Sequence, residues 1–199
     1  MDEGAIEEGK LPDITDVKFD LGDGIVLRNF VDSDADAIFK TVGENVSHLH
    51  FMQWIKPDYS LNDAIEFLAG ACADARKGKS LSLGIFADNK LIGSIGFVHF
   101  ELSSMRTEIG YWIDRSFEGC GIVSKACEQL IDFAFSDLRM NRIEIRCSAE
   151  NLRSAAIPQR FGFIQEGLLR QQESRQGRLH DFLIFGLLRS EWKITGNDL

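Results

Sequence analysis

Two short stretches of this chain hold residue types whose spacing can do chemistry. The first is Glu118-Gly119-Cys120-Gly121, ahead of a run in which Val123, Ala126, Cys127, Leu130, Ile131 and Ala134 recur at helical spacing. Glycines at such a bend let successive backbone N–H groups point at one spot, and the start of the helix adds positive partial charge. A diphosphate can be held there without a basic side chain, and Ser124 in the first turn can add a hydroxyl. A plain tight turn would use the same glycines. No Gly-Lys-Ser/Thr follows, so the loop is not a P-loop, and the third glycine of a dinucleotide fingerprint is missing.

The second stretch runs from Glu150 to Phe163. Asn151 suits the N-cap of a short helix, with Ser154 one turn in. Pro158 removes a backbone donor inside that helix and deprives a carbonyl near Ser154 of its partner. The sequence therefore predicts groups left free there for a ligand. Metal chemistry finds no support: Cys72, Cys120, Cys127 and Cys147 contain no C-x-x-C pair, and His48, His50, His99 and His180 form no ligand set. Cys120 has no evident histidine partner to make it a nucleophile.

These stretches need elements to hold them. Residues 1–16 are acidic and without period and read as a loose tail, with the folded domain spanning 17–199. Asp20 to Asp23 reads as a hairpin turn before a strand at Ile25-Val26-Leu27. A helix follows, capped by Asp32 or Ser33, with Ala35, Ile38 and Phe39 on its apolar face. Asn45 to Ile55 is aromatic-rich and ambiguous. A second helix covers about Asn62 to Lys77. Strands are then predicted through Leu81–Ile85, Leu91–Phe100 and Thr107–Ile113, an antiparallel meander. The loop from Asp114 to Gly121, the amphipathic helix and a strand through Ile143, Ile145 and Cys147 come next. The Asn151 helix and two last strands, joined by a turn at Gln176-Gly177, complete the chain. This is one α/β (α+β) domain, a mixed and mostly antiparallel sheet with helices on both faces.

Composition narrows the partners. The net charge is −9, which argues against a general grip on nucleic-acid phosphates and suits a cationic partner such as an amine. The acidic start lacks the apolar core of a secretory signal, and the longest apolar run is too short to span a bilayer. Unpaired cysteines read as reduced thiols of a cytoplasmic protein.

The run from Ile109 to Phe163 resembles the acetyl-CoA-binding core of the GNAT superfamily of N-acetyltransferases. More narrowly it resembles the Rim-type branch, the ribosomal-protein N-terminal acetyltransferases. The pieces that carry the likeness are E-I-G-Y-W-I (108–113), E-G-C-G-I (118–122), N-R-I-E-I-R (141–146) and E-N-x-x-S-x-x-I-P-x-R-F-G-F (150–163). G-L-L-R (167–170), the Gly177 to Asp181 segment and Asn45 to Trp54 are similar to that branch as well, so the likeness spans roughly 25–192.

The resemblance implies acetyl transfer from acetyl-CoA to a primary amine, by direct attack with a general base and without a metal. The implied acceptor is a protein N-terminal amine of ribosomal type. A polyamine, drug or amino-acid acceptor, or a non-catalytic acyl-CoA sensor, remains open. Trp112 and Ile113 would hydrogen-bond pantetheine through their backbone. Gly119, Cys120, Gly121, Ile122 and Val123 would cradle the pyrophosphate, with Ser124 adding its hydroxyl, and Asn151 would hold the cofactor arm. Ser116 stands where the family's glycine loop usually begins with Gln or Arg, which removes one side-chain contact. Glu108 is the first candidate for the base, with Glu101, His50 and His99 as rivals. Many GNAT enzymes place a tyrosine on the helix after the asparagine as the acid, and here the aromatic there is Phe161. Ser154 matches the serine of the Rim-type branch and is assigned to the leaving thiolate. Tyr111 and the His50–Trp54 stretch can line the acceptor cleft or pack in the core. Relatives are often dimers, so a homodimer fits, though no interface is legible.

Overall fold

The computed structural model describes residues 11–175 and 177–193. The chain enters through a hairpin, β1 (Lys18–Asp20) and β2 (Ile25–Asn29), whose turn places Gly22, Asp23 and Gly24 at positive φ. The packed chain reaches back beyond that hairpin. Ile14, inside the expected tail, is buried in the core, and its carbonyl accepts a hydrogen bond from Asn29 Nδ2 at 3.0 Å. Residues 1–10 of that tail lie outside the described residues.

Helix α1 (Ala35–Asn45) is not capped by Asp32 or Ser33, contrary to expectation. Both lie in a single 3₁₀ turn with Asp34, whose carboxylate accepts from Val31 N at 2.9 Å and pairs with Arg28 at 2.8 Å. The arginine on β2 draws in the third acidic residue rather than the first. Helix α2 (Leu61–Arg76) starts at a reciprocal cap between Ser60 and Asp63. The ambiguous aromatic stretch between the two helices is a series of turns.

The period-two run then gives β3 (Leu81–Ala87), β4 (Lys90–Glu101) and β5 (Arg106–Ile113), all antiparallel neighbours. Gly96 is required where two strands press together: a Cβ there would lie 1.9 Å from the Leu81 carbonyl oxygen. After the glycine loop come α3 (Ile122–Ser136), β6 (Arg142–Ser148), α4 (Leu152–Arg160), β7 (Ile164–Arg175) and β8 (Arg178–Leu188). Gln176, half of the expected last turn, lies outside the described residues, and Gly177 takes φ +77°. The eight strands form one sheet, ordered β1-β2-β3-β4-β5-β6-β8-β7, in which β5 and β6 alone run parallel.

Successive strand residues face opposite sides, and each side has its own core. Ile85, Ile92 and Ile113 pack with Ala126, Cys127, Leu130 and Ile131 of α3, while Phe86, Leu91 and Trp112 pack with Ile38 and Val42 of α1 and Leu68 of α2. Burying each such Leu, Ile or Phe stabilises the fold by roughly 1.5–3 kcal/mol before entropy is set against it.

One buried carboxylate ties the sheet centre together. Glu144 on β6 receives Arg106 of β5 at 3.1 Å, Arg142 at 3.1 Å and Arg146 at 2.7 Å. Burial alone would raise its pKa, but the hydrogen bonds from Arg146, Arg106 and Arg142 outweigh burial and pull it down to about 2. A depressed pKa means stability that is present above the ordinary carboxylate value and lost as pH falls toward about 2. In urea unfolding, Glu144→Gln should therefore narrow the gap in stability between pH 7 and pH 3 by about 2 kcal/mol. An unchanged gap would mean that the three arginines do not hold this carboxylate in its charged form.

Candidate functional site

The parallel ladder between β5 and β6 is short. It joins Arg106, Thr107 and Glu108 to Arg142, Ile143 and Glu144 and then stops. Beyond Glu108 the two strands part, so Ile109–Ile113 pairs with β4 on one side and has no strand on the other. Two cavities meet in this fork. One, of about 330 Å³, is bounded by the first turns of α3 and α4; the other, of about 420 Å³, lies toward α2 and the face of β3–β5. Tyr111, Trp112, Asn151 and Ser154 line both.

The first cavity gathers most of the residues singled out from sequence. Trp112, Ile113, Gly119 and Gly121 line it, as do Ile122, Val123, Ser124, Asn151 and Ser154. Cys120 does not; its exposed thiol points at the Glu118 carbonyl, 3.7 Å away. Gly119 and Gly121 take φ +73° and +78°, the left-handed conformation that glycine adopts at least cost. Nothing lies within 4 Å of a Cβ added at either, so the glycines serve the backbone bend and not a tight fit. Gly121 is the N-cap of α3 and offers no side chain to the helix's first N–H groups. The residues that carry those donors, Ile122, Val123 and Ser124, line the cavity. Ile122, Trp112 and Ile113 line the cavity and are largely buried. Ser116 binds Asp114 through both its amide and its hydroxyl, which fits its lack of reach into the loop. Ser124 Oγ accepts from Arg160.

Helix α4 carries the other half of the site. Asn151 Oδ1 accepts from Ser154 N at 3.1 Å, so the residue is a true N-cap as well as a lining residue. The expectation that Pro158 frees groups for a ligand is corrected here. The Ser154 carbonyl, four residues before the proline, accepts a hydrogen bond from Tyr111 Oη at 3.0 Å, and Ser154 Oγ donates to the same phenol at 3.2 Å.

The second cavity holds the acid–base candidates. Glu108 lines it, at the last paired position of β5. Burial raises its pKa; Arg146, 3.5 Å away, opposes this, and Glu144 reinforces it. The three rivals named from sequence line neither cavity. Glu101 is exposed and bound by Ser103; His50 faces the Ser47 carbonyl; His99 lies beside Arg106 and Arg146, its pKa lowered first by burial.

Sequence reasoning missed Glu173. It lines the same cavity as Glu108, is buried, and has its pKa raised by burial against the pull of Arg175 and His180. Its Oε1 lies 3.0 Å from Arg175 Nε, but without the alignment of a hydrogen bond. Glu173 and Arg175 are the buried residues of an otherwise largely exposed strand, and they follow a break in register between Leu169 and Glu173 with Gln171 at φ +51°. Missed too was a bridge over the first cavity: Glu118 pairs with His48 at 3.2 Å and with Arg153 of α4.

Residues 25–164 match the family described as the acetyltransferase (GNAT) domain. The chain belongs to the GNAT acetyltransferase family. It is an acetyl-CoA-dependent acetyltransferase with the mixed α/β sheet of that fold. Among curated proteins it is similar to the N-acetyltransferase YdaF of Bacillus subtilis (strain 168), with 31% identity over 85% of this chain and 93% of that one. It is also similar to the ribosomal-protein-serine acetyltransferase of Escherichia coli (strain K12), with 29% identity over 77% and 86%. Among solved structures, RimL, a ribosomal L7/L12 alpha-N-protein acetyltransferase in complex with coenzyme A, superposes with a TM-score of 0.83 at 25% identity, over 88% of this chain and 99% of that one. Among the described residues, no group of three His, Cys, Asp or Glu could hold a metal ion, and no helix is long and apolar enough to cross a membrane.

A ligand that binds only the folded chain stabilises it by RT ln(1 + L/Kd), with L the free ligand concentration. Acetyl-CoA at 100 times its dissociation constant should add about 2.7 kcal/mol, read as a rise in the thermal unfolding midpoint. A flat response would mean that this chain has lost the family's cosubstrate.

Proposed function

We propose that this enzyme acetylates the N-terminal amine of a protein of ribosomal type, by direct attack on acetyl-CoA with Glu108 as general base. The observation that carries the reading is the fork. Glu108 sits where β5 and β6 part, and Ser154 stands on the wall shared by the two cavities. In this reading the cosubstrate lies in the α3–α4 cavity. The bend through Gly119, Cys120, Gly121, Ile122 and Val123, with the Ser124 hydroxyl, holds its pyrophosphate. Cys120 contributes its backbone alone. The free edge of β5 at Trp112-Ile113 meets the pantetheine arm, and Asn151 steadies it. These residues fit that group: unpaired main-chain donors and a left-handed bend meet an anion without a lysine.

The acceptor enters the second cavity. An ammonium must lose a proton before it can attack. A buried carboxylate with a raised pKa takes that proton more readily than an ordinary one, directly or through a water. Ser154 donates a hydrogen bond to sulfur as the thiolate leaves, which positions the group without ionising the serine. Glu173 lines the same cavity with Arg175 3.0 Å from it, which offsets its charge. The similarity to a ribosomal-protein-serine acetyltransferase supports a protein N-terminus over a free polyamine, and a ribosomal acceptor would put the reaction in the cytoplasm.

Mass spectrometry of peptides with a free N-terminal serine, the same peptides blocked at the N-terminus, and spermidine tests the acceptor. The free peptide alone should gain an acetyl group; acetylation of spermidine alone would replace this reading with a small-molecule one. Glu108→Gln should lower kcat by about 100-fold or more while leaving acetyl-CoA affinity intact. The acid limb of kcat/KM, which should lie above the ordinary carboxylate range, should vanish in the same variant. If kcat holds in Glu108→Gln and collapses in Glu173→Gln, the base is Glu173.

A further inference from the structure

The contact between Tyr111 and Ser154 has a cause in the sequence of α4. A helix carbonyl is ordinarily met by the N–H four residues later, and for Ser154 that residue is Pro158, which has none. A buried carbonyl without a partner is costly. Tyr111, reaching from β5, fills the vacancy: its O–H donates to Ser154 O at 3.0 Å, which leaves the phenol oxygen to accept from Ser154 Oγ at 3.2 Å. The phenol thus grips one residue twice, by main chain and by side chain.

We propose that Tyr111 is a positioning residue for Ser154: it supplies the hydrogen bond that Pro158 removes, and so fixes Ser154 Oγ on the wall between the two cavities. The proposal rests on the reading that Ser154 meets the sulfur. It does not make Tyr111 the acid. Burial holds the phenol far from ionising, and the thiols beside it, Cys127 of α3 and Cys147 of β6, are pushed up by burial as well. Giving up its proton would leave a buried phenolate, which burial disfavours. Keeping it lets Tyr111 remain a donor to the carbonyl at any pH the enzyme meets. When sulfur arrives, the Ser154 hydroxyl can turn from the phenol oxygen to the thiolate, while the hydrogen bond to its own carbonyl keeps the residue in place.

The proline makes this testable. In Pro158→Ala the backbone N–H returns and can meet the Ser154 carbonyl without help. Tyr111→Phe keeps the ring and loses both hydrogen bonds. In the native background it should lower kcat by about 10- to 100-fold, with KM for acetyl-CoA changed by less than about threefold. In the Pro158→Ala background the same change should cost much less, a non-additivity that a proton-donating tyrosine would not show. Equal losses in both backgrounds, or full activity in Tyr111→Phe, would overturn the proposal. Should Tyr111→Phe fail to fold, the repaired double variant against Pro158→Ala still measures what the phenol does. A second arm needs no acceptor. By calorimetry the native enzyme should bind CoA more tightly than desulfo-CoA, by about tenfold for one hydrogen bond to a charged group. Tyr111→Phe should narrow that preference, and adding Pro158→Ala should restore it. If the native enzyme shows no such preference, Ser154 does not meet sulfur and the proposal falls with that assignment. If the preference behaves as expected but no peptide is acetylated, the acceptor reading alone is wrong.

Discussion

Everything in the site follows from a ladder that ends early. Three residues of β5 pair with three of β6, and then the strands diverge. A sheet ordinarily satisfies its backbone on both edges of each strand. Here the second half of β5 keeps β4 on one side and leaves polar groups along the other, in the interior of the fold. Such an edge invites either another strand or a ligand. Helices α3 and α4 flank the gap, and the first turns of both line the cavity beside it.

What holds the fork at that point is electrostatic. Glu144 is clasped by arginines from both strands at the last rungs before the split. Its charge is fully neutralised, whereas Glu108 beside it has one arginine, 3.5 Å off, and is more weakly held. Two carboxylates face each other across one ladder rung, and their surroundings push them in opposite directions. The first is structural because it is over-satisfied. The second is not, and the proposed mechanism makes it the base for that reason.

The sequence made the glycine loop, the amphipathic helix and the Asn151 cap legible because each depends on neighbours within a few residues. Helix α3, Ile122–Ser136, was marked by nothing more than an apolar stripe of period 3.6 from Val123 to Ala134 and the glycine before it. The fork was not visible in the same way, since strand divergence leaves no mark on alternation. Glu173 was hidden for a different reason. Strand β7 carries two extra residues between Leu169 and Glu173 and is mostly exposed, so nothing in its polar sequence marks Glu173 and Arg175 as the buried pair. The partner of the Pro158 vacancy lies 43 residues upstream of Ser154, so the deficit could be read and its remedy could not.

The two cavities share Phe51, Met52, Tyr111, Trp112, Asn151 and Ser154, and each has further walls of its own, α3 for one and β3–β4 for the other. With the cosubstrate in one and the acceptor in the other, as proposed, each substrate would have its own way in. Spent thiol would then not need to wait for the acylated product to clear, nor the reverse. A bulky acceptor, even one attached to a large assembly, can dock at one mouth while the carrier exchanges at the other.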